Sequence, residues 1–381
     1  MLARGPKVGG PRVVGQAVAG HLVAGHLVAG PLVAGTVAAL AARAAYAGLR
    51  RRPPAGEKTW TRTNHRGELV TLLEGPAVAL GTVAGTAVAG TVGANRRDLA
   101  VTTATLGALG FGVLDDMRGS GKRRGLRGHL GALAHGEVTT GAVKLAGLAV
   151  TGLGAALLDG GDPADVAINA GLIAGGANLL NLFDLRPGRA IKVATGTAAL
   201  MAVSGALAGG DSSRYIAAVA APVGAALALL PEDLAERAML GDAGANALGA
   251  ALGASAARTL PRSARAGLLG AIVALTLASE QVSFTRVIER TPPLRWLDML
   301  GRRPAPRAVP LADGPLTGGA LTRDPVLTAP VPDGRVPAVP TEPVTRRRPP
   351  GRHRRAADGD SRTRSGGWLL ALLKPPARQE P

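Results

Sequence analysis

Carboxylate and amide side chains stand at three places where apolar segments of the chain begin or end. These residues are Asp115 and Asp116, then Asn178, Asn181 and Asp184, and finally Asp242. Adjacent carboxylates repel each other and resist joint ionisation unless a cation compensates their charge. The members of the second group are three residues apart, so they share one helix face and offer the oxygen ligands that Mg²⁺ prefers. The pattern therefore predicts a hard-cation site.

A basic run follows the aspartate pair directly, within the segment 112–130. It contains Lys122 and Arg123, whose positive charges can bind phosphate groups. Phosphoryl transfer requires little from a protein beyond positioning and charge neutralisation. A cation site beside basic residues therefore favours a phosphate-bearing substrate over a proton relay.

The elements that must hold these residues are apolar segments, each long enough to cross a bilayer. Nine are predicted, near 22–49, 69–93, 98–114, 138–158, 164–183, 190–209, 214–230, 241–258 and 264–284. Small residues recur four apart in some of them, as at Gly81 and Gly85 or Gly249 and Gly253, which lets helices pack closely in lipid. The predicted fold is an all-α, polytopic transmembrane helical bundle in the plasma membrane.

The distribution of Lys and Arg predicts the orientation of this bundle. The loops 50–68 and 115–137 are rich in basic residues, whereas the loop 159–165 carries three Asp and no basic residue. By the positive-inside rule the basic loops are cytoplasmic, which places the N-terminus outside and the C-terminus inside. A cleavable signal peptide at the start is an alternative, but the apolar stretch there is longer than such peptides usually have.

Other ionisable residues lie near the same predicted cytoplasmic helix ends, namely Glu74, Lys144 and Glu280. Each has an explanation of its own: Lys144 could extend its ammonium group to the membrane interface, and Glu74 could lie in the headgroup layer. Charged groups inside membrane spans are costly and are usually functional. Taken together with the aspartates, these residues predict a cytoplasm-facing site.

Composition limits the function further. The 381 residues include no Cys, which excludes disulfides and thiolate metal sites. The net charge of +18 fits cytoplasmic loops and contact with anionic lipid. Residues 1–300 form the predicted transmembrane domain, and residues 301–381 form a Pro/Arg-rich cytoplasmic tail that is predicted to be disordered. Nucleic acid is not an expected partner, because the basic run of the tail lacks interleaved aromatic residues.

At the three polar motifs the sequence resembles the polyprenyl-phosphate N-acetylhexosamine-1-phosphate transferases. This family includes the phospho-MurNAc-pentapeptide translocases and the UDP-GlcNAc:undecaprenyl-phosphate GlcNAc-1-phosphate transferases. The matching residues are Asp115-Asp116, then Asn178-x-x-Asn181-x-x-Asp184, then Gly241-Asp242-x-Gly244. Their order matches as well, over residues 22–300, and the segment 57–70 resembles the family's first cytoplasmic loop.

The resemblance implies transfer of a sugar-1-phosphate, with N-acetylhexosamine as the expected sugar, from a UDP-sugar to membrane polyprenyl phosphate, with release of UMP. It implies that Asn181 and Asp242 bind Mg²⁺, with Mn²⁺ as an alternative metal. The catalytic residues it implies are Asp115, Asp116 and Asp184, of which Asp184 lies at the nucleotide end of the site. The expected substrate contacts are Asn178, Lys122, Arg123, Arg189 and Lys192.

The sequence departs from the family pattern at two places. The family continues its second motif as Asp-Gly-Leu-Asp-Gly-Leu, whereas residues 184–189 read Asp-Leu-Arg-Pro-Gly-Arg, with Pro187 at the position of the second Asp. The extra arginines are candidate phosphate contacts there. The translocases carry a His-rich motif in a late cytoplasmic loop, whereas the corresponding segment, 283–296, offers Arg286, Arg290 and Arg295 instead. The missing motif argues against the pentapeptide substrate.

Two other classes of function are consistent with the sequence. A non-catalytic membrane binding or scaffold protein would keep the transferase fold, and Pro187 motivates this alternative. A transporter would place its charges near the bilayer midplane, whereas here they gather at one interface. For the transferase, the expected partners are the UDP-sugar donor, the polyprenyl phosphate acceptor and the membrane, and a homodimer is compatible with the sequence.

Overall fold

The computed structural model describes residues 11–90, 96–118, 128, 131–132, 134–207 and 212–304, with side chains from residue 29 onward. Almost all of this part is helical. The helices are α1 Pro11–Arg51, α2 Glu57–Trp60, α3 Glu74–Gly90, α4 Arg96–Arg118, α5 Thr140–Asp159, α6 Pro163–Phe183, α7 Arg189–Leu207, α8 Ser212–Leu234, α9 Gly241–Thr259, α10 Arg262–Ser279, α11 Phe284–Arg290 and α12 Pro292–Met299.

Each of the nine predicted apolar segments corresponds to one long helix, α1 or one of α3 to α10. Within the described residues, five helices are long and apolar enough to cross a membrane, or six if α10 and α11 count as one span bent by 94°. The five are Ala29–Arg51 of α1, then α5, α6, α7 and α8. The structure thus confirms a predominantly helical protein with several candidate membrane spans.

Helix α9 lies at the centre of the bundle. All of its residues except Asp242 and Arg258 are buried, and it packs against α3 to α8. Its sequence explains this position, because Gly and Ala dominate it and leave room for neighbouring helices on every side. The helix carries the third polar motif at its N-terminus, so its central position brings that motif close to several helix ends.

The glycines spaced four apart mark places where helix backbones meet. A Cβ atom at Gly81 would lie 2.6 Å from the carbonyl oxygen of Ala38 on α1. A Cβ atom at Gly249 would lie 2.3 Å from the carbonyl oxygen of Gly176 on α6. Real Cβ atoms do not approach this closely, so these glycines are required for the observed helix spacing. The predicted packing role of these two glycines is therefore confirmed.

A small antiparallel sheet departs from the predicted all-α fold. It consists of β1 Thr61–Thr63 and β2 Leu69–Thr71, with Arg62 paired to Val70. The backbone of Thr71 also bonds to the connection between α8 and α9, where the N–H of Met239 donates to its carbonyl oxygen over 3.0 Å. The hairpin therefore holds the predicted first loop against the start of α9.

The last described residues return to the hairpin. Arg66 donates hydrogen bonds to the carbonyl oxygens of Arg303 and Pro304, each over 2.9 Å. The guanidinium of Arg303 in turn pairs with Glu68 at 2.7 Å. The chain is thus fixed beside the hairpin as far as Pro304. Residues 305–381, which make up most of the predicted tail, lie outside the described residues.

Candidate functional site

The aspartate pair and the third motif meet where α4 ends and α9 begins. The backbone N–H groups of Asp242 and Ala243 donate to the two carboxylate oxygens of Asp116, over 3.0 and 2.9 Å. A carboxylate at this position satisfies the first N–H groups of a helix and interacts favourably with its dipole. Asp116 is therefore an N-terminal cap for α9, supplied by a different helix.

Two glycines make this approach possible. A Cβ atom at Gly112 would lie 2.4 Å from the carbonyl oxygen of Asp242, so only glycine lets α4 reach the start of α9. Gly241 has a φ of 61°, in the left-handed region that favours glycine. The guanidinium of Arg62 on β1 donates to the carbonyl oxygen of Asp116, so the hairpin also fixes the end of α4.

Lys144 joins the two remaining aspartates. Its Nζ atom lies 2.7 Å from Oδ2 of Asp115 and 2.7 Å from Oδ2 of Asp242, with only 11% of its side chain exposed. Helix α5 begins just before it, where the Thr139 hydroxyl accepts from the N–H of Ala142. Lys144 is therefore a buried ion-pair partner, and the expectation that it extends alone to the membrane interface is wrong. We call Asp115, Asp116, Lys144 and Asp242 the lysine–carboxylate cluster.

The second motif lies at the end of α6. Asp184 follows the last helical residue, and its backbone N–H donates to the carbonyl oxygen of Asn181 over 3.1 Å. The side chains of Asn178 and Asn181 are partly buried on the last turns of this helix. The negative charges of Asp116 and Asp242 both act on Asp184, so this residue lies beside the lysine–carboxylate cluster. The structure thus brings the three motifs together.

A polar cavity of about 200 Å³ opens next to Asp184. Three connections enclose it: the turn between β1 and β2, the connection between α6 and α7, and the connection between α8 and α9. The polar groups in its wall belong to Asn64, His65, Asp184, Arg186, Asp233 and Glu236. Val70, Leu185, Pro187 and Met239 supply apolar wall. We call this space the polar cavity.

An apolar groove of about 220 Å³ lies on the other side of the α6 end. Helices α6, α7, α9 and α10 line it, with Leu180, Met201, Leu252 and Ile272 among its walls. Phe183 also lines the groove and stacks on Phe284 of α11, with ring centroids 4.8 Å apart. Phe183 lines the apolar groove and the next residue, Asp184, lines the polar cavity, so the end of α6 contributes to both spaces.

Two of the expected substrate contacts are engaged in a separate ion-pair network. Arg189 is 3% exposed and binds both carboxylate oxygens of Asp298, over 2.7 and 3.1 Å. Lys192 donates to the carbonyl oxygen of Asp298 over 2.6 Å, and Arg302 binds its carboxylate over 2.7 Å. In this structure Arg189 and Lys192 therefore fix α12 to the start of α7. Of the other three expected contacts, Asn178 is the residue of α6 described above, and Lys122 and Arg123 lie outside the described residues.

Two buried polar residues near the site, Glu74 and Asn246, belong to none of the three motifs. Glu74 is fully buried, and neither of its carboxylate oxygens has a hydrogen-bond partner among the described residues. Asn246 is fully buried one turn after Asp242, and neither of its amide atoms has a hydrogen-bond partner among the described residues. Its position four residues after Asp242 places it on the same helix face, which is a signal present in the sequence.

The oxygen atoms at this site have the chemistry of a hard-cation site. Oδ2 of Asp184 is buried and has no hydrogen-bond partner in the described part of the chain. Asp242 contributes a second carboxylate, although Lys144 contacts it here. No group of three or more His, Asp or Glu side chains among the described residues has an arrangement that could hold a metal by itself. The Mg²⁺ site expected at Asn181 and Asp242 therefore stays a prediction.

Comparison with known proteins provides no family assignment: neither the protein-family models nor the curated proteins include a match to this chain. The polar motifs and their geometry are therefore the basis for any functional proposal.

Proposed function

We propose that this protein transfers a sugar-1-phosphate, with N-acetylhexosamine as the expected sugar, from a UDP-sugar to membrane polyprenyl phosphate and releases UMP. The observation that carries the proposal is the lysine–carboxylate cluster. Three helices, α4, α5 and α9, bring its four residues together at one end of the bundle. The same three motifs, in the same order, carry the resemblance to the polyprenyl-phosphate transferases.

The two neighbouring spaces fit the two proposed substrates. A polyprenyl chain is apolar and needs an apolar surface, which the groove between α6, α7, α9 and α10 offers. A sugar nucleotide is polar and needs hydrogen-bonding groups, which the polar cavity offers. Since Phe183 lines one space and Asp184 lines the other, the lipid phosphate and the donor diphosphate would approach each other at the end of α6 in this proposal.

The reaction joins two anions, so the site must neutralise negative charge. An oxygen of the lipid phosphate forms a bond to the β-phosphorus of the UDP-sugar, and the bond from this phosphorus to the bridging oxygen breaks. UMP leaves with that oxygen and its electron pair. Lys144 has three N–H donors, of which Asp115 and Asp242 use two, so the third can bind a phosphate oxygen. Such preorganised positive charge is the main protein contribution to phosphoryl transfer.

A divalent cation is part of this proposal. Asn181, Asp184 and Asp242 would hold it, and it would supply charge neutralisation for the diphosphate. Asp116 acts differently, because both of its oxygens already accept backbone N–H groups of α9. In the proposal Asp116 is a positioning residue that aims Asp242 at the substrates, while Asp115 holds the ammonium group of Lys144.

The proposal also includes nine membrane spans in the plasma membrane, with the cluster at the cytoplasmic end. Helix α9 is low in hydropathy, but its side chains are almost all covered by other helices and meet no lipid. A helix in that position can cross a membrane without a strongly apolar composition. The basic loop 50–68 lies at the end that carries the cluster, where Arg62 donates to the carbonyl oxygen of Asp116, and this supports the cytoplasmic assignment.

The direct test is an assay of purified protein with labelled UDP-GlcNAc, polyprenyl phosphate and Mg²⁺. We expect UMP and a lipid-linked sugar diphosphate as products. Asp116→Asn should abolish turnover, since an amide cannot accept both N–H groups with the charge of a carboxylate. Asp162→Asn, which changes a half-exposed carboxylate at the opposite end of the bundle, is the matched control. Absence of turnover with every UDP-N-acetylhexosamine would refute the proposal.

One observation favours a second function. Lys144 already contacts both Asp115 and Asp242, and Pro187 replaces an acidic residue of the family pattern. A binding or scaffold protein that retains the transferase fold would have both features. It would bind UMP or polyprenyl phosphate without turnover, and Asp116→Asn would leave the phenotype of the cell wall unchanged.

A further inference from the structure

One acidic residue of the polar cavity, Asp233, has a carboxylate that the described residues satisfy only in part. It lies on the last turn of α8, and its side chain is 2% exposed. The carboxylate accepts a hydrogen bond from the backbone N–H of Gly188. Its Oδ2 atom, by contrast, has no hydrogen-bond partner among the described residues. Burying a carboxylate oxygen without a donor is unfavourable, so this atom is suited to a ligand that brings one.

The contacts that stabilise the surrounding cavity wall do not involve Asp233. The Nδ2 atom of Asn64 donates to Oε2 of Glu236 over 2.9 Å, and Nε of Arg66 lies 2.9 Å from its Oε1. These contacts fix the hairpin turn to the connection between α8 and α9. Glu236 is therefore a structural residue of the wall. One carboxylate oxygen of each of Glu236, Asp184 and Asp233 has no hydrogen-bond partner in the described part, but that of Glu236 lies in ion-pair contact with Arg66.

The chemistry of the cavity restricts the class of ligand. A carboxylate only accepts hydrogen bonds, so the ligand must carry N–H or O–H donors. The wall formed by Val70, Pro187 and Met239 is apolar and suits the face of a flat ring. A volume of about 200 Å³ is small for a whole sugar nucleotide but admits part of one. A nucleoside combines these properties, since it has a flat base and carries both imide and hydroxyl donors.

Asp233 lies in the same cavity as Pro187, the residue at which the second motif departs from the family pattern. Both residues line the polar cavity: Pro187 lies in the connection between α6 and α7, and Asp233 lies on the last turn of α8. The acidic group that the second motif lacks at Pro187 is thus present in the same space.

We propose that Asp233 determines donor specificity by accepting a hydrogen bond from the nucleoside of the sugar nucleotide, in the cavity that it shares with Asp184. This inference rests on the proposed transferase function. It assigns to Asp233 a role in binding the donor and none in the transfer step itself.

The test compares Asp233→Asn with Glu232→Gln, a neighbouring carboxylate that pairs with Arg43 and Arg237 and does not line the cavity. Asp233→Asn should raise KM for the UDP-sugar about tenfold or more, while kcat changes little, because a hydrogen bond to a charged group is lost. Glu232→Gln should leave both constants within about twofold. The double variant Asp233→Asn with Pro187→Asp should recover part of the loss.

A measurement on the wild-type protein does not depend on how the variants fold. Binding of UMP is compared with binding of 3-methyl-UMP and 2′-deoxy-UMP, which each lack one donor. We expect one of the two analogues to bind about tenfold more weakly than UMP. Equal binding of all three, or an unchanged KM in a folded Asp233→Asn variant, overturns this inference while the transferase proposal stands. Wild-type protein that neither binds UMP nor turns over overturns both.

Discussion

The carboxylate of Asp116 caps the helix that begins at Asp242, although 126 residues separate the two in sequence. The cap orients the first turn of α9, and the side chain of Asp242 then meets Lys144 over 2.7 Å. Any change at the contact between α4 and α9 should therefore alter the position of the Asp242 carboxylate as well as the stability of the bundle. Four predictions follow from this arrangement and from its neighbours.

Lys144→Met should destabilise the protein and abolish transfer. The change leaves Asp115 and Asp242 close together without their shared cation, and breaking a buried ion pair costs about 3 kcal/mol or more. Thermal unfolding in detergent measures the first effect and UMP release measures the second. Adding Asp115→Asn to Lys144→Met should restore part of the stability but none of the activity. A Lys144→Met variant as stable as the wild type would contradict the role of this contact.

Gly112→Ala should impair activity through the α4–α9 contact. The new Cβ atom would lie 2.4 Å from the carbonyl oxygen of Asp242, so one helix must shift, at a cost of about 1–3 kcal/mol. Gly110 is the matched control, because a Cβ atom there meets no atom within 4 Å. Gly110→Ala should stabilise α4 slightly, by up to about 1 kcal/mol. Equal unfolding temperatures and equal activities of the two variants would show that the close contact is not required.

Removal of divalent cations should stop the reaction reversibly. Chelation with EDTA should abolish UMP release, and excess Mg²⁺ or Mn²⁺ should restore it. Asp242→Ala should remain inactive at every metal concentration, since it lacks a carboxylate that neutralises the cation. Mg²⁺ together with UMP should raise the unfolding temperature of the wild type more than that of Asp242→Ala. Full activity in EDTA would rule out the metal.

Asp298 should make stability depend on pH in the acid range. Burial opposes ionisation of this residue and by itself would raise its pKa. The hydrogen bonds and charge of Arg189, followed by the charge of Arg302, outweigh burial. The pKa of Asp298 is therefore below its usual value. A lowered folded-state pKa contributes stability that is fully present above the unfolded pKa of about 3.9 and is lost as the pH falls through the folded pKa.

The comparison of wild type with Asp298→Asn checks this expectation. At pH 7 the variant should be less stable, because Arg189 then lies buried without a carboxylate partner. The difference between the two unfolding temperatures should shrink as the pH falls below about 4. A difference that stays constant from pH 7 to pH 3 would mean that Asp298 does not contribute through its charge.

Local sequence patterns were sufficient to predict the long helices and the positions of the polar motifs. Apolar length marks the nine segments, and Asp242 lies in the first turn of α9 as expected. The hairpin was not predicted, since its strands have only three residues each and the turn between them forms against α8 and α9. Such short strands carry too few residues for an alternating pattern.

The pairing of charges could not be predicted from the sequence. Lys144 and Asp242 are 98 residues apart, and Arg189 and Asp298 are 109 apart, so no local spacing connects them. Arg189 was expected to contact substrate because its neighbours suggested a phosphate site, whereas a carboxylate from α12 lies beside it. Asp233 belongs to none of the sequence motifs. Only the fold shows that it lines the same cavity as Asp184 and Pro187.

Arg66 connects two parts of the described structure that are far apart in the sequence. It donates to the carbonyl oxygens of Arg303 and Pro304, and its Nε atom lies 2.9 Å from Oε1 of Glu236. Asn64 and His65 of the same hairpin turn line the polar cavity, and so does Glu236. Loss of the Arg66 guanidinium would therefore release the end of the helical region and loosen the wall of the cavity in a single step.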